Sequence, residues 1–306
     1  MARSVRKMAR PRIEVFLRES QTRINSQLES IARKATEEFP SPIGDAIAYG
    51  LLAPGKRFRP SLALAVYQEF GGLQDIDLLA TAIEIVHTYS LVHDDLPCMD
   101  NDAMRRGRAT THEKFDVGTA TEAAFRMVPL AARVLAEGAQ RAGLDAGEAG
   151  NLGAVLFEAA GASGMVGGQA MDLEAEGRQV AVADLVKIHS AKTGALIAAS
   201  AVIGALAARV PQPQVAAAKL FGEELGLAFQ IIDDILDSTG TSEQLGKTAG
   251  KDEAQNKATF TTMLSETEAC EWAEACVGRA VDRLGDVGID SDLLNELGLF
   301  IINRRS

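Results

Sequence analysis

Asp94, Asp95 and Asp100 form one acidic group and Asp233, Asp234 and Asp237 a second, and each is entered from an apolar run, residues 89–93 and residues 225–232. A lone Asp-Asp pair is ordinarily a solvated helix end, because Asp is mostly exposed. Here the apolar runs lead straight into the acids, so both groups stand at the mouth of something apolar, where carboxylates ask for cations. Asp233 and Asp237 are four residues apart and share one helical face, whereas Asp234 points roughly 100° away. Asp94 and Asp100 are six apart, a spacing that an undistorted helix sends to different faces. Pro97 lies between them and removes a backbone donor, so the helix ends or bends there and brings Asp100 back. Hard oxygen donors in small groups, short of a full cage, suit Mg2+ ions that keep waters and complete their shell with phosphate oxygens. The predicted substrate is a phosphate ester.

Basic residues supply the other half of such a site. Lys56, Arg57 and Arg59 fall within four positions, and Arg105, Arg106 and Arg108 follow the first acidic group directly. Guanidinium forks bind phosphate in a bidentate way and Lys binds it as a point charge. Lys192, Lys247, Lys251 and Lys257 are single cations in Gly-, Thr- and Ala-rich stretches around the second acidic group; most isolated lysines are solvated surface. His87 lies seven residues before Asp94, two helical turns on one face, although a histidine beside Val86 and Ile83 is more often a satisfied core residue.

The elements that must hold these residues read as helices. Residues 119–139, 147–162, 183–209 and 213–237 are Ala-rich and amphipathic, and period-two strand patterns are hard to find. An all-α bundle of about ten or more helices follows. The 306 residues suggest about two domains on length alone, but no Pro-, Ser- or charge-rich linker divides them, so one domain over 1–306 is expected.

With these motifs assembled, the chain resembles the trans-isoprenyl diphosphate synthases (polyprenyl synthetases), nearest to their bacterial farnesyl-producing branch. The resemblance runs from about residue 45 to the C-terminus. It rests on residues 55–60, 87–102, 105–107, 167–172, 192–194, 229–237 and 246–247, in the family's order and at plausible spacings. It implies a helical bundle around a deep central cavity, and a two-substrate alkylation. An allylic diphosphate loses its diphosphate, and the allyl cation is attacked by the double bond of isopentenyl diphosphate, the dimethylallyltranstransferase and geranyltranstransferase reactions. No protein nucleophile is needed, in keeping with the lack of a Ser/His/Asp order or a Cys/His metal spacing.

Residue by residue, the resemblance implies that Asp94, Asp100, Asp233 and Asp237 hold Mg2+, three ions per site when substrate is bound, with Mn2+ an alternative, and that Asp95 and Asp234 support them. Arg105, Lys192 and Lys257 are expected on the allylic diphosphate, and Lys247 among the substrate-binding residues. Lys56, Arg57, His87 and Arg106 are expected on the diphosphate of isopentenyl diphosphate. Thr193 and Gln230 lie beside the reacting carbons, the released diphosphate takes the final proton, and Gln169 and Asp172 stand behind these residues. Tyr89, the fifth residue before Asp94, closes the tunnel after three isoprene units, which makes farnesyl diphosphate the expected product and geranylgeranyl diphosphate the alternative. On the residues alone Tyr89 is equally an ordinary core aromatic.

Two departures bear on that expectation. Ala124 and Phe125 stand where the family has a Gly-Asp pair, and Pro129 follows; an interior proline costs about 3 kcal/mol, so that helix is expected to break, with consequences for dimer packing and product length. Pro54 replaces the first of two glycines before Lys56. A non-catalytic partner subunit is the competing reading, but such partners lose aspartates and this chain keeps all six. A terpene cyclase of the same fold leaves the basic motif before residue 60 unexplained.

Lys plus Arg of 31 against Asp plus Glu of 42 gives a net charge of −11, the wrong sign for nucleic acid. The uncharged run 193–208 is 16 residues long, short of the ~20 apolar residues that span a bilayer, and is read as a core helix. Residues 1–10 are basic with no apolar segment after them, so they are expected to be a disordered start and not a secretory signal. Cys98, Cys270 and Cys276 have no zinc or redox spacing, which fits a reducing cytoplasm; Cys98 is read as small apolar filler. The resemblance adds a homodimer.

Overall fold

The structure, a computed structural model, describes residues 12–239 and 259–304. The expected disordered start at 1–10, and Lys247, Lys251 and Lys257, lie outside the described residues.

The chain is helical nearly throughout. Four helices lead to the first acidic group: α1 (Arg12–Glu38), α2 (Ile43–Leu51), α3 (Phe58–Glu69) and α4 (Asp77–Asp94). Among the described residues the only strands are β1 (Met104–Arg105) and β2 (Arg108–Ala109), an antiparallel hairpin that pairs Met104 with Ala109 and Arg105 with Arg108. Its two turn residues, Arg106 and Gly107, both have positive φ, 53° and 75°, the geometry that matches the twist of a two-residue hairpin. Next come α5 (Thr111–Lys114), α6 (Val117–Arg141), α7 (Ala146–Ala160), α8 (Met165–Ala175) and α9 (Val182–His189). A π-helical segment, Ser190–Gly194, joins α9 to α10 (Ala195–Ala207), and α11 (Gln212–Thr239) carries the second acidic group. The described chain closes with α12 (Phe260–Met263), α13 (Glu266–Gly285) and α14 (Asp292–Ile302).

Local sequence explains several helix starts. Asp145 and Glu148 form a reciprocal capping box before α7, Ser265 and Glu268 do so before α13, and the Asp116 carboxylate accepts from Thr119 N–H before α6; each satisfies donors that the first turn leaves orphaned. Two groups of buried side chains make the core. One gathers around α1, α2, α4 and α6 and the other around α3, α10, α11, α13 and α14, with Phe16, Val155, Leu206 and Ala208 packed against both. A helix that is apolar all round is a buried helix, and α10 is buried at nearly every position. Its Gly204 lets the backbone of α3 approach at Ala63 O, space that a Cβ would fill.

The proline in the middle of α6 does not break it: the helix runs unbroken from Val117 to Arg141 across Pro129. The bond that Pro129 cannot make is the one to the carbonyl of Phe125, and both residues lie on the solvent face, Phe125 at 72% exposure. Water can serve that carbonyl, so the usual penalty is softened. The helical stretch expected over 183–209, which contains the uncharged run, is present. Residues Val182–Ala207 form 26 helical residues apolar enough to cross a membrane by length and composition, but 67% of the apolar window is buried inside the protein, as in a core helix.

Candidate active site

The first acidic group is shaped by the end of α4. That helix stops at Asp94, and Asp100 N–H donates to Asp94 C=O at 2.9 Å, so the chain doubles back around Pro97 and returns Asp100 to Asp94, as the proline predicts. Asn101, at φ 50°, completes the reversal. The hairpin β1–β2 then brings Arg105 back onto Asp95, with Nε and Nη2 at 2.7 and 2.6 Å from Oδ1. Asp95 is buried, and burial pushes its carboxyl above the usual carboxylate range while Arg105 pulls it down.

The second group repeats this division of labour. Asp234 is buried and Asp233 and Asp237 are partly open, the separation expected from their positions around α11. Asp234 is a structural hub: its Oδ1 accepts from Gln230 Nε2 at 2.9 Å and its Oδ2 from Phe260 N–H at 2.8 Å, and Thr193 Oγ1 donates to Gln230 Oε1 at 3.0 Å. One chain of bonds thus runs from the π-helical segment through α11 to the start of α12. π-helical turns recur at functional sites, and this one presents both Lys192 and Thr193. Lys192 Nζ pairs with Asp172 at 2.6 Å. Gly168 on α8 faces the Lys192 backbone so closely that a Cβ would strike its amide nitrogen. Gln169, one residue on, is buried and reaches Asp100 Oδ1 at 3.4 Å, with its own Oε1 lacking a partner.

An apolar cavity of about 140 Å³ opens between α4 and α8. Asp94 and Gln169 line it at the acidic end, with Tyr89, Ser90, Met165 and Leu173 among its walls. Tyr89 is half-buried beside His93, ring centroids 5.9 Å apart. Burial and the nearby Asp94 raise its phenol pKa, which keeps it neutral.

The basic residues divide differently from the sequence expectation. Arg57 turns into the core: Nη1 pairs with Glu84 at 2.7 Å, Nε donates to Asn25 Oδ1 at 2.9 Å, and Nη2 donates to Leu51 C=O and Ala53 C=O. Four of its five N–H donors are so engaged and the residue is 5% exposed, so Arg57 faces the core and not the open site expected of it. Its backbone at φ 52° sets it apart from the helix that follows, and Arg59, two residues on, turns instead toward His87. Arg59 Nη1 lies 3.2 Å from His87 Nε2, and its Nε is buried with no partner. Burial, with Arg106 nearby, lowers the Arg59 pKa to about 10, where it stays charged; Glu84 and Asp233 act in the other direction. The sequence carried a signal for this, since Lys56 and Arg59 are three residues apart. Burial, then Arg59, Arg106, Arg105 and Arg57, hold His87 well below its ordinary value, so His87 is a neutral partner of Arg59. Lys56 is lowered by burial and by Arg304, and Asp233 is close enough to oppose this; the basic group and the second acidic group are therefore neighbours. Arg106 donates to Pro54 C=O at 2.7 Å and its guanidinium lies against Gly55, where a Cβ would push it aside.

Two residues went unnoticed in the sequence. Arg304 pairs with Asp233 at 3.3 Å; it lies in a short basic pair far along the chain from the motifs, and no spacing connects it to them. His189 is buried, with its Nε2 lacking a hydrogen-bond partner 3.9 Å from Asp234 Oδ2 and its ring against Phe260. Burial lowers it to about 4, so it is neutral near pH 7. Cys98 is exposed, not the packed filler expected of it.

Among the described residues no three acid, His or Cys side chains are already gathered as a metal cage. The donors are carboxylates only, and Asp233 already holds a cation, the Arg304 guanidinium. Both observations fit Mg2+ bound through one or two carboxylates with the remaining ligands supplied by water and substrate.

Comparison with known proteins agrees with this arrangement. The family profile described as Polyprenyl synthetase matches residues 40–281. A farnesyl diphosphate synthase of Bacillus subtilis is 36% identical over 92% of this chain and 95% of its own length. Geranylgeranyl pyrophosphate synthase 4 of Arabidopsis thaliana is 39% identical over 91% of this chain and 76% of its own. The structure of a Helicobacter pylori geranyltransferase complexed with magnesium and isoprenyl diphosphate superposes with a TM-score of 0.81 at 31% identity, covering 97% of this chain and 98% of that one. Paired acids, adjoining basic residues and an all-helical frame around them thus coincide with matches over nearly the whole chain, which belongs to the polyprenyl synthetase family.

Proposed function

We propose that this protein is a prenyltransferase that condenses isopentenyl diphosphate with dimethylallyl and then geranyl diphosphate and releases farnesyl diphosphate, acting as one synthase domain over 1–306, in the cytoplasm and as a homodimer. The observation that carries this reading is an apolar cavity lined by Asp94, Gln169 and Tyr89 together, in a chain that also gathers a separate basic group near Asp233.

Mg2+ held by Asp94, Asp100, Asp233 and Asp237, when bound, supplies the Lewis acid that draws charge from the departing diphosphate. Arg105 and Lys192, tied to Asp95 and Asp172, are preorganised cations for that same charge. Lys56, Arg59, Arg106 and neutral His87 grip the diphosphate of the second substrate, which gives each substrate its own anchor. The Thr193 hydroxyl spends its proton on Gln230, so its oxygen lone pairs are free to face the allyl cation. The released diphosphate then takes a proton from C2 of the isopentenyl unit, beside the new cation at C3, which leaves an allylic diphosphate as product. Lys257 is assigned to the allylic diphosphate, and Lys247 to substrate binding, by family resemblance alone.

Farnesyl is favoured over geranylgeranyl diphosphate because Tyr89 walls the cavity. The test is elongation by the purified protein with Mg2+, labelled isopentenyl diphosphate and each of dimethylallyl, geranyl and farnesyl diphosphate, with products dephosphorylated and sized. A fifteen-carbon product from the first two, with farnesyl diphosphate left unextended, supports the reading. A twenty-carbon product keeps the chemistry and removes the role given to Tyr89, and no product from any partner returns the non-catalytic subunit.

A further inference from the structure

Arg304 follows the last turn of α14, and its side chain is 6% exposed. Three features of its surroundings stand out. Its guanidinium lies over the Phe229 ring, 3.8 Å from the centroid, and Nη2 donates to Phe229 C=O at 2.5 Å. The same Nη2 lies 3.3 Å from Asp233 Oδ1, and Nε is buried without a partner. Phe229 in turn packs on Phe58, 5.7 Å between centroids, in the segment that carries Lys56 and Arg59. A single long contact to one carboxylate, with one donor unsatisfied, is a poor settlement for a buried guanidinium: desolvation is repaid only when geometry is good and every proton is used.

We propose that Arg304 is the resident counter-ion of Asp233, and that divalent metal and the Arg304 guanidinium compete for this carboxylate, so that loading of the second acidic pair displaces Arg304 from it. The inference rests on the reading that Asp233 and Asp237 hold a divalent ion. Two cations cannot share one carboxylate edge in a partly buried site without repulsion. A metal at Asp233 therefore weakens one of the two polar contacts that fasten Arg304 to α11, while the Phe229 carbonyl and ring stay available to the arginine. Burial lowers the Arg304 pKa and Asp233 opposes this, in keeping with a charge held there mainly by that one acid.

The test needs no substrate. Mn2+ binding is titrated by EPR on the full chain as wild type, Arg304→Gln, Asp233→Asn and the double variant, with thermal unfolding followed in parallel. Arg304→Gln is expected to bind Mn2+ about three- to tenfold more tightly, the scale of one charge-assisted bond removed from competition, and the gain is expected to vanish in the Asp233→Asn background. Without metal, Arg304→Gln is expected to melt below wild type, and saturating Mg2+ is expected to narrow the gap. Equal or weaker Mn2+ binding by Arg304→Gln, or a gain that survives Asp233→Asn, overturns the exchange. If Asp233→Asn binds Mn2+ as well as wild type does, it is the metal reading of Asp233 that fails. Should Arg304→Gln not fold, Arg304→Lys, which keeps the charge but loses the planar fork, is expected to shift Mn2+ affinity in the same direction by less; no shift overturns the proposal.

Discussion

Arg57 and Arg59 show how much turns on two positions of chain. Both are arginines in the same short basic stretch, but a left-handed residue at Arg57 buries that side chain against Glu84, while Arg59 faces His87. The charges therefore have different work, and substitution separates them. Arg57→Met strands Glu84 in the core and is expected to cost about 3–5 kcal/mol of stability, read as a loss of Tm, with the KM for isopentenyl diphosphate little changed in whatever folds. Arg59→Gln is expected to do the reverse, raising that KM about tenfold or more, the scale of one charge-assisted contact, with a small change in Tm. If Arg57→Met raises the KM as Arg59→Gln does, the assignment is wrong. The pair also marks a limit of sequence reading: charge and proximity to the motif were visible, but the direction of each side chain depended on one backbone angle.

At the scale of elements, the site depends on close approaches between backbones. The π-helical turn at Ser190–Gly194 is flanked by Gly168 on α8 and by Gly226 on α11, each leaving no room for a Cβ beside Lys192 and Gly194. Gly168→Ala must push Lys192 and Thr193 away from where they stand. A displacement near 1 Å is expected to lower kcat about 10²-fold, with far-ultraviolet circular dichroism still helical; unaltered kcat would show that the turn tolerates movement. The amphipathic stretches gave away the helices themselves, since residues 119–139 and 213–237 are contained in α6 and α11. What periodicity could not reveal was the π turn inside the stretch 183–209, or that Pro129 is accommodated, because both depend on what packs or fails to pack beside the backbone. The return of Asp100 to Asp94 was legible because Pro97 left the helix no continuation.

For the whole molecule, the exposed face of α6 is the feature that a single chain leaves unexplained. Phe125, Pro129, Ala132 and Ala136 lie along its solvent side, an apolar stripe of the kind that marks an interaction surface. In the homodimer proposed here this stripe is covered by a second copy. Light scattering is expected to give a dimer for the wild type and a monomer or a weakened dimer for Phe125→Glu; a monomeric wild type would remove the homodimer from the account. The overall class and the two acidic groups on their helices were readable in advance, because each acidic group carries its own local signature. Arg304 was not, since its link to Asp233 spans 71 residues and exists only after the chain has folded.

The central claim is that two acidic groups distant in sequence serve one ionisation. It is tested most directly by the steady-state kinetics of Asp94→Asn, Asp233→Asn and the double variant with saturating Mg2+ and both substrates, each checked for an unchanged helical spectrum. Groups that act as a unit are strongly non-additive. Each single variant is expected to lose at least about 10²–10³ in kcat, and the double variant little more than the worse single one. Turnover within about tenfold of wild type in either single variant, or losses that multiply in the double variant, would contradict the account.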